Sequence, residues 1–224
     1  MNGTYQNIDC MELMATLPDK SVDLAIVDPP YGIGRSGKPK STSSHGGHKG
    51  FVDKKWDSAI PNEKYFTELY RVSKNQIIFG ANYFTYFIPP NSGWILWDKG
   101  QRIDQADGEL AFSSINKPLR VFTLNRVALQ IEGTIHPTQK PIKLYEWLLT
   151  NYAKPNDLIL DTHCGSASSL IACENLGFKY VASELDTDYY SQSLQRLEAH
   201  LSQGKLFQRV GRDEIRLEQP SMFA

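Results

Sequence analysis

A four-residue string at the end of a short apolar run holds the densest chemistry in the chain: Asp28-Pro29-Pro30-Tyr31, which follows residues 22–27. Asp28 offers a charged acceptor, whereas Pro29 and Pro30 have no N–H, so their backbone can only accept hydrogen bonds. Tyr31 adds a flat ring. Acceptors beside a stacking ring suit a planar heterocycle with an exocyclic amine, whose nitrogen they would orient for attack. A sharp turn after a buried strand would use the same residues, so the string alone does not decide.

A second constellation, near the C-terminus, has the pattern of a nucleotide-type cofactor site. A predicted strand at 158–161 leads into a turn of small residues that contains Gly165 and Ser166, and Glu184 follows the next predicted strand. Gly165 would let a ligand approach the backbone closely, and Glu184 could accept from both hydroxyls of a ribose. The turn has a single glycine and no phosphate loop is present, so a cofactor without phosphates fits better. An ordinary strand–turn–helix connection is the alternative.

The loop His136-Pro137-Thr138-Gln139-Lys140-Pro141 lies between these two regions. Its prolines restrict the backbone and hold the polar groups in place. Lys140 could meet a carboxylate. A plain lead-in to the next helix explains the loop equally well.

Composition bounds the class of protein. The 224 residues suffice for one domain with a buried core, and a formal charge of −1 argues against a generally basic nucleic-acid-binding surface. The cysteines Cys10, Cys164 and Cys173 are odd in number and have no metal-ligand spacing, which indicates reduced thiols. The chain shows neither a basic-then-apolar signal segment nor an apolar run of bilayer length. We therefore expect a soluble, cytoplasmic protein.

Predicted strands alternate with predicted helices, which indicates a mostly parallel α/β sheet with right-handed crossovers. The predicted strands cover residues 5–8, 22–28, 76–80, 94–97, 109–112, 119–122, 158–161 and 180–184. The predicted helices cover residues 10–17, 63–72, 142–152, 167–176 and 188–201.

Two regions are candidates for contact with a nucleic acid. The polar, glycine-rich stretch 32–56 is basic up to Gly50 and predicts a flap that orders on a phosphate backbone, although a plain solvated loop is the alternative. Residues 99–130 contain several lysines and arginines and form the candidate target-recognition element. His45 and His48 are spaced like metal ligands, but no further ligand stands nearby in the sequence, so we expect no metal.

Four aromatic residues have an open assignment. Tyr83 and Phe84 follow a predicted strand and could wall a base pocket, but aromatic residues at such positions are more often part of the core. Trp56 and Trp97 have the same ambiguity. His163 is expected to fill the cavity of the cofactor loop rather than to act as a base.

Together these segments resemble the β group of S-adenosylmethionine-dependent DNA amino-methyltransferases. The resemblance covers residues 8–31, which follow the catalytic region of the family, and 136–141, 161–169 and 184–186, which follow its cofactor region. The order, with the catalytic string before the cofactor loop, is itself specific. The resemblance implies a Rossmann-like class I methyltransferase fold in a permuted order, as a single domain with a small inserted target-recognition region.

The resemblance also implies a role for each matched position. The catalytic group is Asp28, Pro29, Pro30 and Tyr31: Asp28 and the Pro29 carbonyl accept hydrogen bonds from the target amine, and Tyr31 stacks on the flipped base. The positions that would bind S-adenosylmethionine are Asp161, Gly165 and Ser166 at its methionine part, Glu184 and more weakly Asp186 at its ribose, Asp9 and Cys10 at its adenine, and Thr138 and Lys140 at its amino-acid end.

A string that begins with Asp implies adenine N6 as the target, in double-stranded DNA, as in restriction–modification systems. A short recognition sequence, or a homodimer that supplies a second reading surface, would suit so small a chain. The chain departs from the family loop Asp-Pro-Phe-x-Gly-Ser-Gly, because Thr162 and His163 replace the proline and phenylalanine and Ala167 replaces the second glycine. The alternatives are a catalytically silent DNA-binding module and a cytosine-N4 or RNA amino-methyltransferase.

Overall fold

The computed structural model of the chain describes residues 1–37, 50–100, 106–125 and 132–210, with side chains as far as residue 203. Its strands are β1 (Thr4–Gln6), β2 (Val22–Val27), β3 (Ser73–Phe79), β4 (Trp94–Asp98), β5 (Gly108–Ser113), β6 (Arg120–Thr123), β7 (Leu158–Asp161) and β8 (Lys179–Ser183). Its α-helices are α1 (Cys10–Ala15), α2 (Glu63–Val72), α3 (Ile142–Tyr152), α4 (Ser168–Leu176) and α5 (Thr187–Val210), and a 3₁₀ turn covers Ala81–Tyr83.

The strands form one sheet in the order β1-β8-β7-β2-β3-β5-β4-β6. Every neighbouring pair is parallel except those that involve β5, which runs antiparallel to both β3 and β4. This confirms the predicted mostly parallel α/β sheet.

Helices cover both faces of the sheet because alternate residues of each central strand point to opposite sides. Leu24 and Ile26 of β2 pack into the core with α3, α4 and α5. Ala25 and Val27 pack into the second core with α1 and α2. The central strands are buried on both faces, as their continuous apolar sequence indicates.

The order of the strands places a topological switch between β7 and β2. The chain continues from β2 to its neighbour β3 on one side, and from β7 to its neighbour β8 on the other. The two crossover connections therefore leave a crevice beyond the carboxyl ends of β2 and β7. Such crevices are where open α/β sheets bind ligands.

Local sequence accounts for most element boundaries. Helices α2 and α3 span the predicted residues, and α2 begins where the Asn62 side chain accepts from the Tyr65 N–H. Helix α4 ends at Gly177, whose φ of +75° is the left-handed conformation expected after a helix. Strand β3 starts three residues earlier than predicted, at polar Ser73-Lys74-Asn75, because it pairs with β2 from Val22 onward.

Three of the candidate basic residues of the flap (Lys38, Lys40 and Lys49) and both of its histidines lie outside the described residues. In the described part of residues 99–130 the chain forms β5 and β6 of the main sheet. No helix in the described part of the chain is long and apolar enough to cross a membrane.

Substitution of Phe66 tests the packing of the second core, which lies between the sheet and helices α1 and α2. Its side chain is buried against Phe84 and Phe87, with ring centroids 5.5 and 4.9 Å away. Phe66→Ala is expected to lower the free energy of unfolding by about 3–5 kcal/mol, through lost burial and a residual cavity. Urea denaturation measures this.

The matched control is Tyr86→Ala, because Tyr86 is 98% exposed. It should change the free energy of unfolding by no more than about 0.5 kcal/mol. Equal losses for the two variants would contradict the described packing of α2.

Candidate active site

A cavity of about 560 Å³ occupies the crevice beyond β7 and β2. Ten of the thirteen residues predicted for the site line it: Asp9, Cys10, Asp28, Pro30, Thr138, Lys140, Gly165, Ser166, Glu184 and Asp186. Pro29, Tyr31 and Asp161 do not line it. Two regions separated by more than a hundred residues in sequence, one around Asp28 and one around Gly165, thus share a single cavity.

Asp28 lines the cavity, and both of its carboxylate oxygens accept hydrogen bonds. The Tyr31 hydroxyl donates to Oδ1 at 2.5 Å, and the Lys140 ammonium donates to Oδ2. Burial raises the pKa of Asp28, and the charge of Lys140 opposes that rise. The side chain of Lys140 is only 2% exposed; burial alone would lower its pKa, but Asp28 and Glu109 outweigh burial and raise it. Lys140 therefore favours the charged form of Asp28, in opposition to burial.

A second carboxylate stands behind Lys140. Glu109 on β5 lies 3.3 Å from Lys140 Nζ through Oε2, and its Oε1 accepts from Lys99 Nζ at 2.7 Å. Burial favours a raised pKa for Glu109, but the two ammonium groups outweigh burial and lower it. Lys99, Glu109, Lys140 and Asp28 thus form a row of alternating charges, which we call the charge row.

The Tyr31 ring packs against the residues that directly follow β3. Its ring stacks on Tyr83, with centroids 5.2 Å apart and planes at 15°. Gly80 lies beneath the ring with a φ of +66°, and a Cβ there would come within 2.1 Å of Tyr31 Cε1. Glycine at position 80 is required for this packing. Pro29 is buried, whereas Pro30 faces the cavity.

Asp57 fixes the backbone after Tyr31. Its buried carboxylate accepts from the N–H groups of Tyr31 at 2.7 Å, Gly32 at 2.8 Å and Arg35 at 2.7 Å. Asp57 thereby joins the backbone of Tyr31, in the catalytic string, to that of Gly32 and Arg35 at the start of the predicted flap. No sequence signal marked Asp57.

The turn after β7 also lines the cavity, through Gly165 and Ser166. Gly165 has a φ of +53°, and the nearest neighbour of a Cβ built there is the His136 ring at 3.5 Å. Its N–H donates to Glu184 Oε2 at 2.8 Å, while Glu184 Oε1 accepts from the Asp186 N–H at 2.9 Å. Burial raises the pKa of Glu184. The carboxylate is therefore oriented by backbone, with lone pairs left for a ligand.

Asp161 and Ala167 maintain the shape of this turn. Asp161 is buried, accepts from the His163 N–H at 3.0 Å and from the Ser169 hydroxyl, and has its pKa raised by burial to about 6. Ala167, at the position of the second family glycine, has a φ of +57°. The turn thus keeps a glycine-like backbone at a cost of roughly 1 kcal/mol.

The remaining predicted positions have partners of their own. The Asp9 carboxylate accepts from the Met11 N–H at 2.7 Å and caps α1, and burial raises the pKa of the adjacent Cys10 thiol to about 12. Asp186 accepts from the Asp188 and Tyr189 N–H groups at the start of α5 and pairs with Lys54 at 2.7 Å. The Thr138 hydroxyl lies 3.2 Å from His136 Nδ1.

An aromatic wall that motif reasoning did not assign covers the cavity. His136 stacks on Trp56 at 5.2 Å and meets Tyr189 edge-on at 4.4 Å, and Lys54 lies 4.7 Å from the centre of the Tyr189 ring. The sequence allows Trp56 to be either a core residue or a pocket residue, and in the structure it lines the cavity. Trp97, by contrast, is a core residue.

The cavity wall carries a net negative charge. Its carboxylates belong to Asp9, Asp28, Glu184 and Asp186, and its ammonium groups to Lys54 and Lys140. Burial lowers the pKa of His136 to about 3 and that of His163 to about 4, so both rings are neutral near pH 7. Such a wall favours a cationic ligand and disfavours a phosphate-bearing one.

His163 tests this account of the buried rings through the pH dependence of stability. The pKa of His163 lies near 4 in the native state, against about 6.5 unfolded. Between these values the unfolded chain binds a proton that the native protein lacks, so stability falls as pH falls. His163→Asn should remove up to about 2 kcal/mol of the wild-type loss between pH 7 and pH 5, measured by urea denaturation.

The test compares the slope of the unfolding free energy against pH in His163→Asn with that in the wild type, because other groups titrate in the same range. An unchanged slope in His163→Asn would mean that the ring is protonated normally in the native state.

Comparison with known proteins agrees with this geometry. Residues 90–195 match the family model described as DNA methylase (N6_N4_Mtase). YubD of Escherichia coli (strain K12), named as a methylase, is 26% identical over 210 residues, 85% of this chain and 88% of that protein. The type II methyltransferase M.HinfI of Haemophilus influenzae is 26% identical over 84% of this chain and 66% of its own length.

Solved structures share the fold. The M1.HpyAVI–SAM complex superimposes with a TM-score of 0.60 at 19% identity, covering 87% of this chain and 99% of that one. The PvuII DNA methyltransferase, cytosine-N4-specific, gives 0.58 at 14% identity, covering 90% and 91%. The predicted class I methyltransferase fold is thereby confirmed. Residues 90–195 are thus similar to the N6/N4 DNA methylases in sequence, and the whole described chain is similar in fold to solved DNA methyltransferases.

Proposed function

We propose that this chain is a DNA methyltransferase that transfers the methyl group of S-adenosylmethionine to the N6 amine of an adenine flipped out of duplex DNA. One observation carries the proposal: the Asp28 carboxylate and the Gly165–Glu184 pair line one cavity. A polar acceptor for an amine and a ribose-type site thus face the same space.

The residues present fit S-adenosylmethionine. The carboxylate of Glu184, oriented by two backbone N–H groups, can accept from ribose hydroxyls, and Gly165 leaves its face of the cavity open. The cofactor carries a sulfonium and no phosphate, which suits the net negative wall. We assign Asp9 and Cys10 to its adenine, Ser166 and Thr138 to its methionine part, and Asp186 to a weaker ribose contact, all of them on the wall.

Two of the residues predicted to bind the cofactor, Asp161 and Lys140, act differently in this proposal. Asp161 is buried behind the turn, so it would shape the methionine site through His163 and Ser169 rather than by contact. Lys140 bonds Asp28 and would serve the amine site, with its ammonium also available to a cofactor carboxylate.

Around Asp28, the chain supplies hydrogen-bond acceptors for the target amine. A carboxylate has about four acceptor positions, and Tyr31 and Lys140 occupy two of those on Asp28. We assign the Pro29 carbonyl as the second acceptor, although Pro29 is buried, so the target amine would have to reach it past Asp28 and Pro30, which line the cavity. Drawing both amine protons into hydrogen bonds restores lone-pair character to the nitrogen, which otherwise shares its electrons with the ring.

The bound cofactor supplies an electrophilic methyl group on sulfur. The amine nitrogen forms a bond to the methyl carbon as the carbon–sulfur bond breaks, and the electron pair of that bond stays on sulfur. The nitrogen then carries one proton too many and releases it to Asp28 or to water. The chain's task is to orient the amine and to exclude water around it.

The choice of adenine depends on the Asp at the head of the catalytic string. Because the amine of a paired base lies inside the duplex stack, the base must be flipped to reach Asp28. Tyr31, packed on Tyr83, is the ring we assign to the flipped base. The basic ends of the flap and residues 99–130 are the regions we assign to DNA, with a homodimer as the form that would enlarge the reading surface.

Asp28→Asn tests the amine site. The amide keeps the shape but loses the charge and one acceptor, so methyl transfer from labelled S-adenosylmethionine to unmethylated genomic DNA should fall by about a thousandfold or more. Cofactor binding, measured by calorimetry, should stay within about threefold of the wild type, because the Asp28 carboxylate is bonded to Tyr31 and Lys140 and shares no hydrogen-bond partner with Glu184.

Retention of substantial transfer by Asp28→Asn would remove Asp28 from the reaction. Loss of cofactor binding or of folding in the same variant would mean that its role is structural.

Gly165→Ala tests the cofactor end independently. A Cβ at position 165 has room beside the His136 ring at 3.5 Å, so the variant should fold, with about 1 kcal/mol of backbone strain at φ +53°. The methyl group would project into the proposed cofactor space, and the Kd for S-adenosylmethionine should rise by about tenfold or more.

Unchanged affinity in Gly165→Ala would place the cofactor elsewhere. Absence of cofactor binding in the wild type would instead favour the silent binding module, with Thr162 and His163 as the departures from the family loop that account for it.

A further inference from the structure

The charge row contains two residues, Glu109 and Lys99, that the proposed reaction does not use. Glu109 lies on β5, eighty-one positions from Asp28 in sequence, and Lys99 directly follows β4. The side chains of Lys140 and Lys99 are 2% and 10% exposed. Buried ions cost desolvation free energy, and an apolar replacement of similar volume is often as stable. Fold stability alone therefore gives a weak reason for four charges in a row.

Lys140 is shared between two carboxylates. Its ammonium is bonded to Asp28, lies 3.3 Å from Glu109 Oε2 and from the Tyr31 hydroxyl, and also lies 4.6 Å from the centre of the Phe79 ring. A cation that pairs fully with Asp28 would occupy an acceptor position and weaken the pull of the carboxylate on an amine proton. A second carboxylate on the other side reduces that effect.

We propose that Glu109, oriented by Lys99, is a positioning residue for methyl transfer: it takes a share of the Lys140 ammonium, so that Asp28 keeps an acceptor position and the basicity it needs for the target amine. The inference rests on the proposed function and deepens it. When the amine enters, Lys140 moves its hydrogen bond from Asp28 towards Glu109. No bond other than hydrogen bonds changes in this step.

Several elements surround Asp28 and contribute to its titration. Lys140 precedes α3, Glu109 comes from β5, and Tyr31 follows β2. Asp161 of β7, Tyr65 of α2 and Tyr145 of α3 also interact with it electrostatically. The groups bonded to Asp28 are Tyr31 and Lys140, so Glu109, and Lys99 behind it, can be changed without removing either.

The test is the pH profile of kcat for methyl transfer by the full chain, compared among wild type, Glu109→Gln and Lys99→Met. Activity falls at low pH as Asp28 takes up a proton. The low-pH side of the profile, which we call the acid limb, therefore follows the pKa of Asp28. Glu109→Gln removes a negative charge near Asp28 and leaves Lys140 on it. The limb should move to lower pH by about 0.5 unit or more, and kcat should fall by about tenfold or more.

Lys99→Met removes a positive charge from the other end of the row. Glu109 then pairs more strongly with Lys140, and the acid limb should move to higher pH. Glu109→Asp keeps the charge and should retain the wild-type limb. Opposite shifts in Glu109→Gln and Lys99→Met, together with the tenfold fall of kcat in Glu109→Gln at pH values where Asp28 is ionised, are the result expected of positioning through Lys140. A direct Coulomb effect on Asp28 alone would move the limb without lowering the plateau of kcat, and a merely structural role would lower kcat without moving the limb.

Limbs that stay in place, or that move in the same direction, overturn the proposal while leaving the proposed function intact. If Glu109→Gln does not fold, the direction of the Lys99→Met shift decides. A wild-type chain that binds S-adenosylmethionine but transfers no methyl group contradicts the proposed function itself, and with it the role of Glu109.

Discussion

A carboxylate without full access to water is the constraint around which this site is organised. Asp28 stands at the end of a central strand buried on both faces, and burial favours its neutral form. A hydrogen-bond acceptor for an amine is more effective as the anion. The Lys140 ammonium and the Tyr31 hydroxyl stabilise that anion, and Glu109 keeps the ammonium from neutralising it outright. Charge balance in a low-dielectric space therefore links β2, β5 and the loop before α3.

The sheet places this carboxylate opposite a ribose-type site. Parallel strands end at the same edge, and the crossovers from β2 and from β7 diverge, so the crevice between them stays open. Asp28, Gly165 and Glu184 all line the cavity in this crevice. Trp56, His136 and Tyr189 then cover the space with rings, and the neutrality of His136 leaves the wall negative. Shape and charge both favour a cationic, phosphate-free ligand.

Sequence reasoning found the features that depend on local chemistry. The strand ending at Asp28, helices α2 and α3, the turn at Gly165 and the acceptor at Glu184 follow from apolar patterns, capping residues and glycine positions. The conversion of these positions into roles came from the family resemblance and stays a prediction for each residue. The departure at Ala167 has a physical reading, because its backbone adopts the left-handed conformation that the family glycine would favour.

The remaining features depend on contacts that no local pattern encodes. Glu109 and Lys99 lie in the stretch 99–130 that the sequence predicts as a target-recognition element, yet the pairing of β5 with β3 and β4 brings them behind Lys140. Asp57 caps the backbone after Tyr31 from twenty-six positions away, and its spacing carries no signal. Mass spectrometry of nucleosides from unmethylated DNA, incubated with the chain and S-adenosylmethionine, tests most directly whether adenine N6 receives the methyl group. We expect N6-methyladenine. N4-methylcytosine alone, or no methylated nucleoside from a cofactor-bound protein, would show that the proposed reaction is wrong.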